Sequence, residues 1–310
     1  MPDNRHDARV RLLSLVGARG YRFVTPTNGT IRRMHRRGLP GAPTLRDIFG
    51  WSLPFGEGVL DDDLAAALEA AGGLELTADG FRSRLRISTV GELLFLHSAY
   101  PTDAADAVFL GPDSYRFVVL IEAALKDRRP EGPILDLGAG AGVGGLFAGA
   151  RCPGSAVTLS DPNPAALALA AANAAHAGQA VRLCEASGYD GVGGDFGLIL
   201  ANPPFIAGES GRIYRDGGDL HGARLSLDWA SEGMARLRPG GRLVLYTGSP
   251  ILLGGEDQFR RLLADAVESE GCTLAYRELD PDIFPSELGR AAYQDVERIA
   301  AVGAVITRPA

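Results

Sequence analysis

Asn202, Pro203, Pro204 and Phe205 follow directly on the apolar run 196–201. A buried strand that ends this way brings one side-chain amide, rigid backbone carbonyls and an aromatic face to one spot. Such a spot suits a flat nitrogen group, either a carboxamide or the amino group of a base. Hydrogen bonds from its two N–H groups to the Asn202 oxygen and the Pro203 carbonyl would favour a pyramidal nitrogen and free a lone pair that is otherwise delocalised. Prolines hold the loop in place, so little reorganisation is needed. Phe205 can stack on the flat group, and Pro204 lines the same loop. Taken alone, the tetrapeptide is equally a tight Pro-Pro turn closing a strand.

A second segment, Ile134-Leu135-Asp136-Leu137-Gly138-Ala139-Gly140-Ala141-Gly142-Val143-Gly144, reads as a strand, a glycine turn and a helix start. Gly138, Gly140 and Gly142 let backbone come close to a ligand, and the helix aims its first amides at the same place. Dinucleotide sites also use glycine turns. Here, however, Asp136 precedes the first glycine, so a pyrophosphate would meet a carboxylate and a cationic amino acid fits better. The next strand ends at Ser160-Asp161-Pro162. A carboxylate there is placed for ribose hydroxyls.

The elements that must position these groups are legible. Strands are expected at 133–137, 156–160, 180–184, 197–201, 242–247, 273–276 and 300–307. Helices are expected near 143–150, 164–176, 221–237 and 257–270. Short apolar strands alternating with helices imply a parallel sheet covered on both faces. Residues 98–113 carry turn signals, and a helix is expected from about 114 to 127. The first hundred residues read as a smaller α+β unit. Its helices lie near 10–17 and 61–71, its strands at 81–87 and 92–97, and a winged-helix-like arrangement would suit it. The division expected is 1–105 and 106–310.

Hydrophobic content of 46% and charged content of 22% are ordinary for a soluble globular chain. No apolar run approaches the ~20 residues a bilayer span needs, and the polar N-terminus is not a secretory signal. A cytoplasmic location without membrane contact is expected. Cys152, Cys184 and Cys272 and the five histidines are scattered, so neither a disulfide framework nor a metal site is expected. Net charge is −7, yet the first fifty residues hold ten arginines against Asp3, Asp7 and Asp47. Arg32-Arg33-Met34-His35-Arg36-Arg37 is the densest cluster. It is either an anion or nucleic-acid contact or a solvated helix face.

With the ordered set Asp136, the glycines, Asp161 and Asn-Pro-Pro-Phe in view, residues 112–247 resemble a class I S-adenosylmethionine-dependent methyltransferase. The tetrapeptide resembles the signature of the group that methylates planar nitrogens. That group includes release-factor glutamine methyltransferases and the adenine and guanine amino-methyltransferases. The resemblance implies a Rossmann-like α/β sheet of seven strands, the last antiparallel, with S-adenosyl-L-methionine as methyl donor. It further implies that Asp136, Gly138, Ala139, Gly140 and Gly142 cradle the methionine part. Asp161 and Pro162 would hold the ribose, Glu185 and Ala186 would contact adenine, and residues 111–116 would flank the methionine end. Asn202, Pro203 and Phe205 would act on the acceptor, with Asn202 also facing the donor.

The segment Gly211-Arg212-Ile213-Tyr214-Arg215-Asp216-Gly217-Gly218 suggests a loop over the acceptor, with Tyr214 and Arg215 reaching an anionic or aromatic part of it. A plain surface loop is the alternative. The acidic remainder of the chain and the general kinship favour a protein glutamine amide as acceptor. The arginine-rich start speaks for an RNA or DNA amine. A small-molecule acceptor and a catalytically silent binding protein complete the alternatives. The acceptor's partner is thus a protein or a nucleic acid, protein first, and the oligomeric state is left open.

Overall fold

The computed structural model describes residues 4–38, 41–207 and 217–310. Four helices open the chain: α1 (Asn4–Ala18), α2 (Asn28–Arg37), α3 (Leu45–Phe49) and α4 (Asp62–Ala70). Each of the last three is started by a side chain that satisfies a free helix amide. Thr27 accepts from Thr30 N, Thr44 from Asp47 N, and Asp61 from Leu64 N. Two antiparallel hairpins follow, β1 (Leu74–Thr77) with β2 (Gly80–Ser83), and β3 (Leu85–Val90) with β4 (Leu93–Ser98). The single strand expected at 81–87 is therefore two. Arg84 separates them, where its N–H turns aside to Gly73 O.

The alternating half runs α5 (Pro112–Asp127), β5 (Ile134–Leu137), α6 (Val143–Arg151), β6 (Val157–Asp161), α7 (Pro164–His176), β7 (Val181–Glu185), β8 (Phe196–Ala201), α8 (Arg224–Ala235), β9 (Leu237–Leu252), α9 (Gln258–Ser269), β10 (Thr273–Asp280) and β11 (Val296–Thr307). All seven expected strands are present. The sheet order is β10-β11-β9-β8-β5-β6-β7, parallel throughout except β11, which runs antiparallel to both neighbours. The fold is thus α/β and Rossmann-like. β5 and β8 are buried along their whole length, as central strands covered on both faces must be. Each fully buried Leu or Ile there contributes about 1.5–3 kcal/mol relative to exposure.

The packed interior runs unbroken past residue 105. Leu12, Leu13 and Val16 of α1 belong to the same buried cluster as Leu146 and Phe147 of α6 and Leu169 of α7. Asn173 fastens the joint. Wholly buried in α7, it accepts from Leu96 N (2.8 Å) on β4 and donates to Leu96 O (3.1 Å) and to Ala141 O (2.9 Å) in the glycine turn. Among the described residues no helix is long and apolar enough to cross a membrane.

Candidate active site

The register of the sheet brings the chemistry-bearing residues to one edge. Leu137 of β5 pairs with Ser160 of β6 and Ala201 of β8, and Asp161 pairs with Glu185 of β7. Gly138, Asp161, Glu185 and Asn202 therefore stand side by side at the carboxyl ends of four adjacent parallel strands. Ligands of open α/β sheets bind there.

The glycine turn is built from the inside. Asp136 is 2% exposed, and its Oδ2 accepts from Gly145 N (2.7 Å) in the first turn of α6. Burial pushes its carboxyl up to about 7, against the pull of the Gly145 bond, and the neighbouring Asp161 charge adds to the rise. In the structure Asp136 thus meets the helix start rather than open space. A Cβ at Gly144 or Gly145 would crowd it at about 3.0 Å and would clash with Phe117 (2.8 Å) or Leu159 (2.3 Å) respectively. Asp161 is held at both oxygens: Oδ2 accepts from Gly140 N (2.8 Å) and Oδ1 from Asn163 N (2.9 Å). Burial raises its carboxyl and these two bonds oppose the rise. Gly140 has φ +54° and nothing within 4 Å of where a Cβ would sit. The turn therefore presents bare backbone to open space beside the Asp161 carboxylate, with Ala139 and Pro162 flanking it.

The tip of β8 is braced from behind. Pro203 is buried and Pro204 half-buried. The Phe205 ring, offered by the sequence as a stacking face, is 8% exposed and packs against Tyr246 (6.3 Å, edge-on) and Phe284 (5.8 Å). It also sits where a Cβ on Gly248 would be, 2.5 Å from its Cδ2. An aromatic ring at the end of a buried strand lowers its free energy by joining the core, so its contacts in the structure brace the loop. Beyond it, Ala207 N donates to the Tyr293 hydroxyl (2.7 Å). Asn202 is left as the polar group of the tetrapeptide. Its Oδ1 is buried and has no hydrogen-bond partner among the described residues.

Glu185 is exposed at its strand end, and Ala186 is buried with its N–H on Asp161 O (3.3 Å). Tyr214 and Arg215 lie outside the described residues. Among the described residues no group of three or more His, Cys, Asp or Glu is placed to hold a metal ion. Sequence reasoning did not single out Tyr246, Asn173 or Trp229. Tyr246 donates to the buried Asp113 (2.6 Å), and the Trp229 ring lies 2.8 Å from where a Cβ on Gly138 would sit. Asn173 alone had a signal, as the one amide inside an alanine-rich helix.

Residues 118–247 match the family model described as the methyltransferase small domain. The release factor glutamine methyltransferase of Deinococcus radiodurans is 36% identical over 138 residues, 44% of this chain and 48% of that protein. The ribosomal RNA small subunit methyltransferase C of Ectopseudomonas mendocina is 35% identical over 107 residues, 30% of this chain and 32% of that protein. This chain thus spans about half the length, or less, of the curated relatives it matches. Among solved structures, Trm5b from Pyrococcus abyssi superposes with a TM-score of 0.52 at 12% identity, covering 89% of this chain and 77% of that one. This is a likeness of fold. The matched span, Val118 to Thr247, contains the glycine turn, the Asp161 strand end and the Asn202 tip.

Proposed function

We propose that this protein transfers a methyl group from S-adenosylmethionine to a planar nitrogen held at Asn202-Pro203-Pro204-Phe205. The observation that carries the reading is the buried Asn202 Oδ1, at the strand end next to the glycine turn and without a partner among the described residues. A buried acceptor left unpaired costs about 1–3 kcal/mol, and an N–H from a bound ligand removes that cost. The turn fits the donor: open backbone at Gly140 and a carboxylate at Asp161 with lone pairs to spare.

When bound, the cofactor would supply an electrophilic methyl carbon on a sulfonium, with the neutral thioether as leaving group. The protein's part is to hold and orient. Asp161 would hold hydroxyls of the ribose. Asn202 Oδ1 would accept one N–H of the acceptor and the Pro203 carbonyl the other, so the nitrogen lone pair would be turned out of conjugation and freed to attack. The braced loop keeps that geometry at little reorganisation cost. The nitrogen sheds its proton after the new bond forms, so no strong base is needed beforehand.

The same grip serves a glutamine amide and an exocyclic base amine, and the relatives' names point to a release-factor glutamine in one case and to ribosomal RNA in the other. The test is purified protein, labelled donor and lysate from a strain lacking the gene, with the label followed into protein, RNA and small molecules. Asn202→Ala is expected to lower turnover by about 10²–10³-fold with donor affinity kept, and Asp161→Ala to weaken donor binding. Full turnover by the Asn202 variant would sink the reading.

A further inference from the structure

Between Asp7 and Asp47 the chain carries nine arginines and no Asp or Glu. Four of them, Arg32, Arg33, Arg36 and Arg37, lie on α2 and all four are exposed. At 100° per residue they cover a single arc of roughly 140°. The opposite side of the helix is anchored by buried Ile31 and by His35, whose ring bonds Trp51 O and stands edge-on to Tyr100 (5.3 Å). None of the four has an ion pair or hydrogen-bonding partner among the described residues. By contrast, Arg11, Arg19 and Arg22 of the same stretch are paired with Asp63, Asp61 and Glu92. Like charges at i,i+4 repel and cost the helix stability. A polyanion laid along this face would relieve that repulsion.

The face is tied to the reaction site. Thr25, two residues before the Thr27 cap, donates its N–H to the Tyr115 hydroxyl (2.9 Å) in the first turn of α5. The same turn holds Asp113, bonded to Tyr246 under Phe205. The guanidinium fork suits phosphate oxygens bidentately, and one sign of charge on an otherwise acidic molecule is the footprint of a phosphate backbone.

We propose that the arginine face of α2 docks the phosphate backbone of RNA and so delivers an unpaired base to the Asn202 tip. The delivery step rests on the methyl-transfer reading; the docking does not. RNA fits better than duplex DNA because the acceptor amine must reach a strand tip with its base unpaired, and RNA loops offer such bases without extrusion from a duplex.

The test is binding of a labelled mixed-sequence single-stranded RNA to the full chain without donor, between about 50 and 200 mM salt. Wild type is expected to bind with a steep salt dependence. A variant carrying Arg32→Gln, Arg33→Gln, Arg36→Gln and Arg37→Gln should bind at least tenfold more weakly. Its log–log salt slope should be shallower by about 2 to 3, at ~0.7 for each phosphate that is no longer neutralised. Its unfolding midpoint and donor affinity, read by calorimetry, should match wild type. An unchanged slope in the variant, tighter binding of duplex DNA than of RNA, or loss of labelling of a protein acceptor with RNA affinity intact would each overturn the proposal. Failure of the methyl-transfer reading would appear separately, as absent donor binding in both proteins.

Discussion

Tyr246 donates a 2.6 Å hydrogen bond to Asp113, and this bond ties the first turn of α5 to the strand that supports Phe205. Both groups are buried. Burial raises the Asp113 carboxyl, and the Tyr246 hydroxyl followed by Arg116 (3.3 Å) opposes the rise. The first turn of α5 and β9, on which the Phe205 ring packs, are therefore joined by a polar bond in an apolar setting.

Tyr246→Phe removes that bond while keeping the ring. Folding stability should fall by about 1.5–3 kcal/mol, the range for a hydrogen bond to a charged group. The Asp113 carboxyl should rise further. A folded carboxyl raised above its unfolded value holds its proton where the unfolded chain has lost it, so stability falls as pH rises through that window. The deficit of the variant should then be larger at pH 8 than at pH 5 in urea unfolding, and an equal deficit at both would count against the account.

Gly248→Ala places a methyl 2.5 Å from the Phe205 ring. The ring or the strand must move, at about 1–3 kcal/mol for an overpacked core. Because Phe205 braces the loop, turnover should drop at least tenfold while donor affinity is retained. Calorimetry and single-turnover rates together read this, and an unchanged rate would show that the brace does not matter.

Asn173→Leu keeps the volume but strands Leu96 N, Leu96 O and Ala141 O. Unsatisfied buried groups cost about 1–3 kcal/mol each, so a loss of at least about 3 kcal/mol is expected by denaturant titration. Donor affinity should weaken as well, since Ala141 belongs to the glycine turn. Loss of stability with donor affinity untouched would place Asn173 outside the site.

Two buried groups give opposite pH signatures. Asp136 titrates at about 7 in the folded chain, against an ordinary aspartate value of 3.8, so its share of stability declines as pH rises from about 4 to about 7. Asp136→Asn, which can still accept from Gly145 N, should flatten that decline and gain on wild type at pH 8. His97 is wholly buried on β4 with Nε2 on Ser88 (2.8 Å), and burial followed by Arg86 holds its imidazole well below 6.5. The unfolded chain takes up that proton first, so stability is lost as pH falls below about 6.5. His97→Gln should remove this loss, and thermal melts from pH 5 to 8 of the two variants should diverge from wild type at opposite ends.

Much of the fold is legible in the residues because its signals are local. Apolar runs of four to six residues mark the strands, and the helix expected at 164–176 is α7, Pro164–His176. Asn163 and Pro164 start that helix by their own side-chain chemistry, whatever packs on it. The order of Asp136, the glycines, Asp161 and Asn202 points to one strand-end site, because parallel strands must deliver their carboxyl ends to the same edge. The break at Arg84 is hidden, since a period of two continues across it and only the Gly73 carbonyl diverts its N–H.

What the tertiary structure alone decided is what each of those side chains touches. The sequence offered Phe205 to a ligand and Asp136 to a cation. Packing gave the ring to Tyr246 and Phe284 and the carboxylate to Gly145 N. The pairs Tyr246–Asp113 and Asn173–Leu96 join groups that are 133 and 77 positions apart in the chain. No local pattern encodes such pairs, because burial free energy is set by whatever the folded chain brings alongside. The same holds for α2: the chain shows where its arginines are, and the fold shows that four of them stand without a carboxylate among the described residues.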